Sequence, residues 1–81
     1  MSVTYFVALP FVPADDGLAA GEAQECPNEG VALIRAEALS RTPPHVGALA
    51  FKRSGSPDDG QFGDAIVLKT FGEVPSNLDE L

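Results

Sequence analysis

The sequence is poor in reactive side chains: among its 81 residues it has one cysteine, one histidine, one tyrosine and no tryptophan. Because Cys26 has no second cysteine to pair with, an internal disulfide is excluded, which fits a reducing compartment and predicts a cytoplasmic protein. The chain has no phosphate-binding loop, no dinucleotide-binding glycine pattern and no CxxC, HExxH or GxSxG motif. We therefore expect no cofactor.

Basic residues are also scarce, with 5 Lys and Arg against 12 Asp and Glu, giving a formal net charge of −7. Phosphate backbones and anionic lipid surfaces are bound through clustered Lys and Arg, so nucleic acid and membranes are not expected partners. The apolar N-terminal run YFVALPFV has no basic segment before it, contains Pro10, is followed by Pro13 and is too short to cross a bilayer. It is predicted to be a strand.

The C-terminal half contains the clearest structural signal. The runs VGALAFKR and DAIVLKTF are rich in β-branched, aromatic and aliphatic residues, and the polar segment SGSPDDGQFG connects them. Such a pattern predicts an antiparallel hairpin. We predict a register in which Leu49 faces Leu68 and Phe51 faces Ile66 on the core side.

The same register pairs Arg53 with Asp64 near the turn and turns Ala48 and Ala50 outward. That outward face is too apolar for a fully wetted surface. We expect another layer or a partner chain to cover part of it.

The N-terminal half predicts a strand over Val3 to Val12 and a turn at Asp15-Asp16-Gly17. Both faces of the strand are apolar, as in a strand flanked by neighbours and covered by a helix. Residues 18–26 fit either a weak second strand or an irregular loop.

Residues 27–42 are the best helix candidate, with Asn28 as the N-cap. One apolar stripe consists of Ala32, Leu33, Ala36 and Leu39. A second stripe, formed by Val31, Ile34 and Ala38, is not needed for packing on one small sheet, so these three residues are candidates for an interface.

Together these elements predict an α+β fold, in which a small antiparallel sheet of three or four strands carries one helix on one face in the order β(β)αββ. Residues 1–75 are expected to form a single compact domain. Residues 76–81 are expected to form a frayed acidic tail.

Few residues suggest chemistry. Cys26 and His45 are the only thiol and imidazole, and nothing in their spacing supports a catalytic pair. The acidic pairs Asp15-Asp16 and Asp58-Asp59 offer oxygen ligands for a hard cation, although Asp and Gly are also typical of turns. We expect neither a metal site nor a catalytic site from these patterns.

The segment from Glu25 to Pro75 contains ALIRAEALSR, GALAFKRSG and GQFGDAIVLKTFGEVP. It resembles a group of short uncharacterised bacterial proteins of unknown function. The resemblance implies a compact bacterial cytosolic domain and assigns no catalytic residue.

The absence of a catalytic pattern and the surplus of apolar surface favour a small noncatalytic protein-binding or regulatory module that acts as a homodimer, formed through a strand edge or through the helix stripe of Val31, Ile34 and Ala38. The alternative is a small enzyme or ligand-binding subunit whose site lies at the dimer interface. That alternative requires Cys26, His45 or the acidic loops to converge in a cleft.

Overall fold

A computed structural model of the chain describes residues 3–15, 17–56, 58, 60–63 and 65–75. Within these residues, one helix and one antiparallel sheet confirm the expected small α+β fold. In chain order the elements are β1 (Val3–Ala14), β2 (Gly17–Ala20), β3 (Gln24–Cys26), α1 (Glu29–Ser40), β4 (Gly47–Ser56), β5 (Gln61–Phe62) and β6 (Ile66–Gly72). The acidic tail predicted over residues 76–81 lies outside the described residues.

Two long strands form the centre of the sheet. β1 and β4 pair with each other from Val3 opposite Gly55 to Phe11 opposite Gly47. The other edge of β1 pairs with β2 and β3, and the other edge of β4 pairs with β5 and β6. The short strands therefore share the two outer positions, and the sheet is four strands wide.

The segment over residues 18–26, for which the sequence leaves a strand and a loop open, contains most of one short strand and the whole of a second. β2 pairs with the end of β1, and Gly17 at the turn has a φ of 132°, which favours glycine. β1 also continues past Pro10, although proline cannot donate a hydrogen bond to a neighbouring strand. The carbonyl of Pro10 accepts a hydrogen bond of 2.8 Å from the N–H of Gly21, at the point where the neighbour of β1 changes from β3 to β2.

The helix α1 begins after Asn28, as predicted. The side-chain Oδ1 of Asn28 accepts a 2.9 Å hydrogen bond from the backbone N–H of Val31, which satisfies one donor of the first turn. The helix ends before Pro43 and Pro44, which cannot extend it. No helix in the described ranges is long and apolar enough to cross a membrane.

Replacing Gly30 in the first turn of α1 with alanine is expected to stabilise the protein by about 0.5 kcal/mol, because glycine loses more backbone entropy than alanine in a helix. The added methyl group meets only the Asn28 Oδ1 atom, at 3.4 Å. Thermal and urea unfolding followed by circular dichroism measure the gain. A loss of stability would contradict the helical environment assigned to Gly30.

The helix lies on a sheet face made of small side chains. Ala32 and Ala36 of α1 belong to the same buried cluster as Ala8, Ala48 and Ala50 of the two central strands, and all five are 0% exposed. Because alanine extends only one methyl group, a helix can approach this face closely. The core stripe predicted for the helix, Ala32, Leu33, Ala36 and Leu39, packs here.

The sequence predicts the wrong face of β4 for this core. Leu49 and Phe51, expected beneath the helix, lie on the opposite face, while Ala48 and Ala50, expected outward, lie beneath the helix. Ile66, expected in the core, is 56% exposed. The larger side chains form a second apolar face on the side of the sheet opposite the helix. The helix packs on the face that is lined with alanine methyl groups.

The predicted register of the final hairpin is also wrong. Leu49 pairs with Thr70 instead of Leu68, and Phe51 pairs with Val67. The register shifts by one residue before the Phe51 pair, so Leu68 is the extra residue of a β-bulge. This residue packs against the helix-side core.

The sheet face opposite the helix, called the open face below, has its own apolar cluster. Leu9, Phe11 and Leu49 are buried there, at 8%, 4% and 0% exposure. Leu18 and Val74 pack against them.

Residues 73–75, called the strap below, continue from β6 past the end of β4. Gly72 has a φ of 68°, and the N–H of Glu73 donates a 3.0 Å hydrogen bond to the carbonyl of Val46. A Cβ atom on Gly47 would collide with the backbone of Glu73. Only glycine therefore allows the strap to cross at this point, which brings Val74 onto the cluster at one end of the open face.

Candidate functional site

The other end of the open face forms a shallow groove of about 350 Å³. Its walls come from β1, β4, β3 and Ala23, which lies just before β3. The lining residues of this open-face groove are Tyr5, Val7, Ala23, Glu25, Phe51 and Arg53.

Strand pairing explains why these side chains share one face. Tyr5 and Val7 are two residues apart in β1, and they pair with Arg53 and Phe51 of β4. On the other edge of β1, Glu25 of β3 also pairs with Val7. Because side chains alternate between faces along a strand, the pairing forms one row, Glu25–Val7–Phe51, beside a second row, Tyr5–Arg53.

The groove has opposite charges at two corners of an apolar surface. Glu25 and Arg53 are separated by two strand spacings and by two residues along the strands, which puts their Cα atoms about 12 Å apart. At that spacing the two side chains lie apart, so neither charge neutralises the other directly.

Arg53 has an incomplete set of hydrogen bonds. Its Nε atom is buried and has no hydrogen-bond partner among the described residues. A buried donor without an acceptor is destabilising, so an acceptor supplied from outside the described residues would be favourable. The partner predicted for Arg53, Asp64, lies outside those residues.

The two predicted nucleophilic residues are not brought together. Cys26 is buried beneath the helix, where its Sγ lies 3.6 Å from the carbonyl oxygen of Gln24. His45 lies beyond the other end of the helix, and its Nδ1 donates a 3.0 Å hydrogen bond to the carbonyl of Leu39. Cys26 pairs with Phe6, while the imidazole lies near Pro10, about 13 Å further along β1.

The acidic candidates are also dispersed. Asp15 and Asp58 are exposed in separate turns. Asp16 and Asp59 lie outside the described residues. Within the part of the chain that the structure describes, no group of three or more His, Cys, Asp or Glu residues is arranged to hold a metal ion.

The three interface candidates on α1 have different environments. Val31 packs against the helix-side core, whereas Ile34 is 73% exposed and Ala38 is exposed. The exposed apolar surface of the helix is therefore smaller than the sequence suggests. An interface through these residues stays a prediction.

The groove is not predicted from the sequence, although both faces of β1 are apolar. Leu49 and Phe51 are instead expected in the core on the helix side. With that assignment, Tyr5 and Val7 have no exposed aromatic neighbour. Two further groove residues, Ala23 and Glu25, belong to residues 18–26, which the sequence does not distinguish between a strand and a loop.

Comparisons of the chain with protein-family models, with curated proteins and with solved structures find no match.

Proposed function

We propose that the chain is a noncatalytic protein-binding module that acts as a homodimer, with the open-face grooves of two copies packed against each other. The observation that supports the proposal is the arrangement of the groove: an apolar centre with Glu25 at one corner and Arg53 at another. A second copy of this chain carries the same surface.

The apolar surface extends beyond the groove itself. Val3 precedes Tyr5 on the same face of β1 and is 38% exposed, and Val67, which pairs with Phe51, is 36% exposed. A contiguous exposed apolar patch rimmed by polar groups is typical of an interaction site. Two such sheets pack face to face about 10 Å apart, as in a β-sandwich.

The two charges make this surface complementary to itself. A two-fold axis that lies between the sheets and bisects the line from Glu25 to Arg53 exchanges the two positions. Each Arg53 then faces Glu25 of the other copy, and the apolar residues between them face each other. A two-fold interface uses the same patch on both copies, so such an arrangement supplies two ion pairs from one pair of residues.

The net charge opposes association, because each copy carries −7. At physiological ionic strength, exposed charges more than about 8 Å apart are largely screened. Groups in contact across the interface are screened much less. The attraction from the apolar contact and the two ion pairs is therefore opposed by a net-charge repulsion that salt has weakened.

The enzyme alternative receives no support from the positions of its candidate residues. It requires Cys26, His45 or the acidic loops to meet in one cleft, and the described residues of this set are separate. None of them lines the open-face groove. We therefore assign the groove a binding role.

Reversing either corner charge is expected to weaken the dimer at least about tenfold, because each change places like charges opposite each other twice. The variants are Arg53→Glu and Glu25→Arg, measured by sedimentation velocity over a concentration series in 150 mM salt. Mixing the two variants in equal amounts is expected to restore dimers, since every position 53 then faces an opposite charge at position 25.

These variants contain their own control for net charge. Arg53→Glu makes the chain more acidic and Glu25→Arg makes it less acidic, so a pure net-charge effect would move the two dissociation constants in opposite directions. A wild-type chain that remains monomeric at high micromolar concentration would refute the proposal, as would a mixture that dimerises no better than either variant.

A further inference from the structure

One corner of the open-face groove is suited to a carboxylate. The Nε atom of Arg53 is buried and has no acceptor among the described residues. A guanidinium donates from Nε and from one Nη atom in a planar fork that fits the two oxygens of a carboxylate. Because a buried donor without an acceptor is destabilising, this corner favours an anionic acceptor over a neutral group.

The opposite corner is suited to a cation. Glu25 is exposed on β3 and lines the groove. Its Cα atom lies about 12 Å from that of Arg53, and the line between the two crosses β1 between Val7 and Tyr5. A ligand that satisfies both corners therefore has a carboxylate at one end, a cation at the other and an apolar middle.

A short peptide with free termini has this arrangement of charges. Side chains stand roughly perpendicular to a sheet, so the two charged groups are separated by a distance similar to that of their Cα atoms. Two or three extended residues span about 7 to 11 Å, and a hydrogen bond of about 2.8 Å at each end covers the rest. Six residues span about 20 Å and place only one terminus at a corner. The groove volume of about 350 Å³ is at the lower end for small-molecule sites, which also favours a ligand of this size.

We propose that the open-face groove binds an apolar peptide of two or three residues with both termini free, with its carboxylate on Arg53 and its ammonium group at Glu25. The binding follows from the groove alone, and its consequence for assembly rests on the proposed function. The two termini present the same charges as Glu25 and Arg53 of a second copy. The peptide therefore competes with the second copy and regulates dimerisation.

Competition of this kind acts twice on a homodimer, because both grooves must be vacant before two copies pack. When the peptide fills half of the grooves, the apparent dissociation constant of the dimer rises about fourfold. At nine-tenths occupancy it rises about 100-fold. A ligand of modest affinity is therefore sufficient to separate the copies.

Nuclear magnetic resonance tests the binding in dilute monomer, with alanyl-leucyl-alanine as the probe. We expect a dissociation constant on the order of 100 µM, as for other ligands of this size. The Nε–H signal of Arg53 is expected to shift as the peptide is added, since a hydrogen bond to a carboxylate deshields this proton. The signals of Arg35 and Arg41, whose guanidinium groups bind Gln24 and Glu37, are the internal controls and are expected to stay in place.

Peptides with one blocked end test each corner separately. Amidation of the carboxyl end is expected to weaken binding about tenfold and to leave the Arg53 signal in place, because the charged partner of the guanidinium is lost. Acetylation of the amino end is expected to weaken binding about threefold, since Glu25 is exposed. Glu25→Gln is expected to abolish the preference for a free amino end and to keep the preference for a free carboxylate.

Three results would overturn the inference: an Arg53 signal that does not move, an amidated peptide that binds as tightly as the free one, or equal affinity for hexanoate. Hexanoate has the carboxylate and an apolar chain but no cation, so its equal binding would assign the groove to simple carboxylates.

Sedimentation velocity with saturating peptide tests the consequence for assembly. The free peptide is expected to dissociate the dimer, and the same peptide blocked at both ends is expected to leave it intact. A chain that never dimerises, but whose Arg53 signal shifts, would reject only the proposed function. A dimer whose Arg53 signal ignores the peptide would reject only the inference. A dimer that persists while the peptide fills the groove would overturn the regulation, because the copies would then pair through another surface.

Discussion

Replacing Gly47 with alanine is expected to lower the free energy of unfolding by about 2 to 4 kcal/mol, a large part of the stability of so small a domain. The methyl group would collide with the backbone of Glu73 where the strap crosses β4. Backbone cannot move aside as a flexible side chain does, so the strap must lift. Lifting it removes Val74 from Leu49 and Phe11 and exposes them to water.

Urea unfolding followed by circular dichroism measures this loss, with Gly63→Ala as the matched control. A Cβ atom on Gly63 meets only the carbonyl oxygen of Ser54, at an ordinary 3.5 Å, and its backbone lies outside the left-handed region. The control is expected to keep or slightly raise stability, because alanine reduces the entropy of the unfolded chain. Equal midpoints for the Gly47 variant and the wild type would show that the strap does not cross at this point.

The sequence is sufficient to predict the kinds of elements in this fold. Asn28 marks the start of the helix and a pair of prolines follows its end, and both signals are local. The strands β1, β4 and β6 follow from their β-branched and aromatic composition. Each of these signals depends on residues close in sequence, which explains why the α+β class is predicted correctly.

The faces of the sheet depend on packing between distant residues, and here the prediction fails. Larger side chains suggest a core, so Leu49 and Phe51 are assigned to the helix. The helix instead lies on alanines, because two alanine-rich surfaces can approach closely. The bulge at Leu68 adds a second error, since no local pattern shows which strand gains an extra residue.

The groove is not predicted because the two faces of β4 are exchanged in the prediction. Once Phe51 is placed on the open face, its pairing with Val7 and the pairing of Tyr5 with Arg53 define the site directly. The role of Glu25 depends on β3, a strand of three residues that composition alone does not distinguish from a loop. The sequence therefore contains the residues of the site, but the register of the strands is needed to show how those residues are arranged.

Replacing Phe51 with glutamate is expected to weaken the proposed dimer at least about 100-fold. Phe51 lies between Val7 and Val67 across the sheet and lines the groove, and aromatic residues buried in an interface commonly contribute about 2 kcal/mol or more on truncation. In a two-fold interface the substitution occurs twice, and it places two uncompensated carboxylates in an apolar contact. Sedimentation velocity measures the dissociation constant, and circular dichroism verifies that the variant remains folded.

Ile34→Glu is the matched control, because it also replaces an apolar residue by a carboxylate and changes the net charge equally. Ile34 is 73% exposed on the helix, on the other side of the molecule from the groove. A dimer that forms through the open face is expected to tolerate this change, whereas one that forms through the helix stripe of Val31, Ile34 and Ala38 would dissociate. If Phe51→Glu proves unfolded, Phe51→Ala keeps the comparison valid, since it removes the aromatic contact without adding a charge. If only the Ile34 variant loses the dimer, the interface lies on the helix and the groove does not have its proposed role.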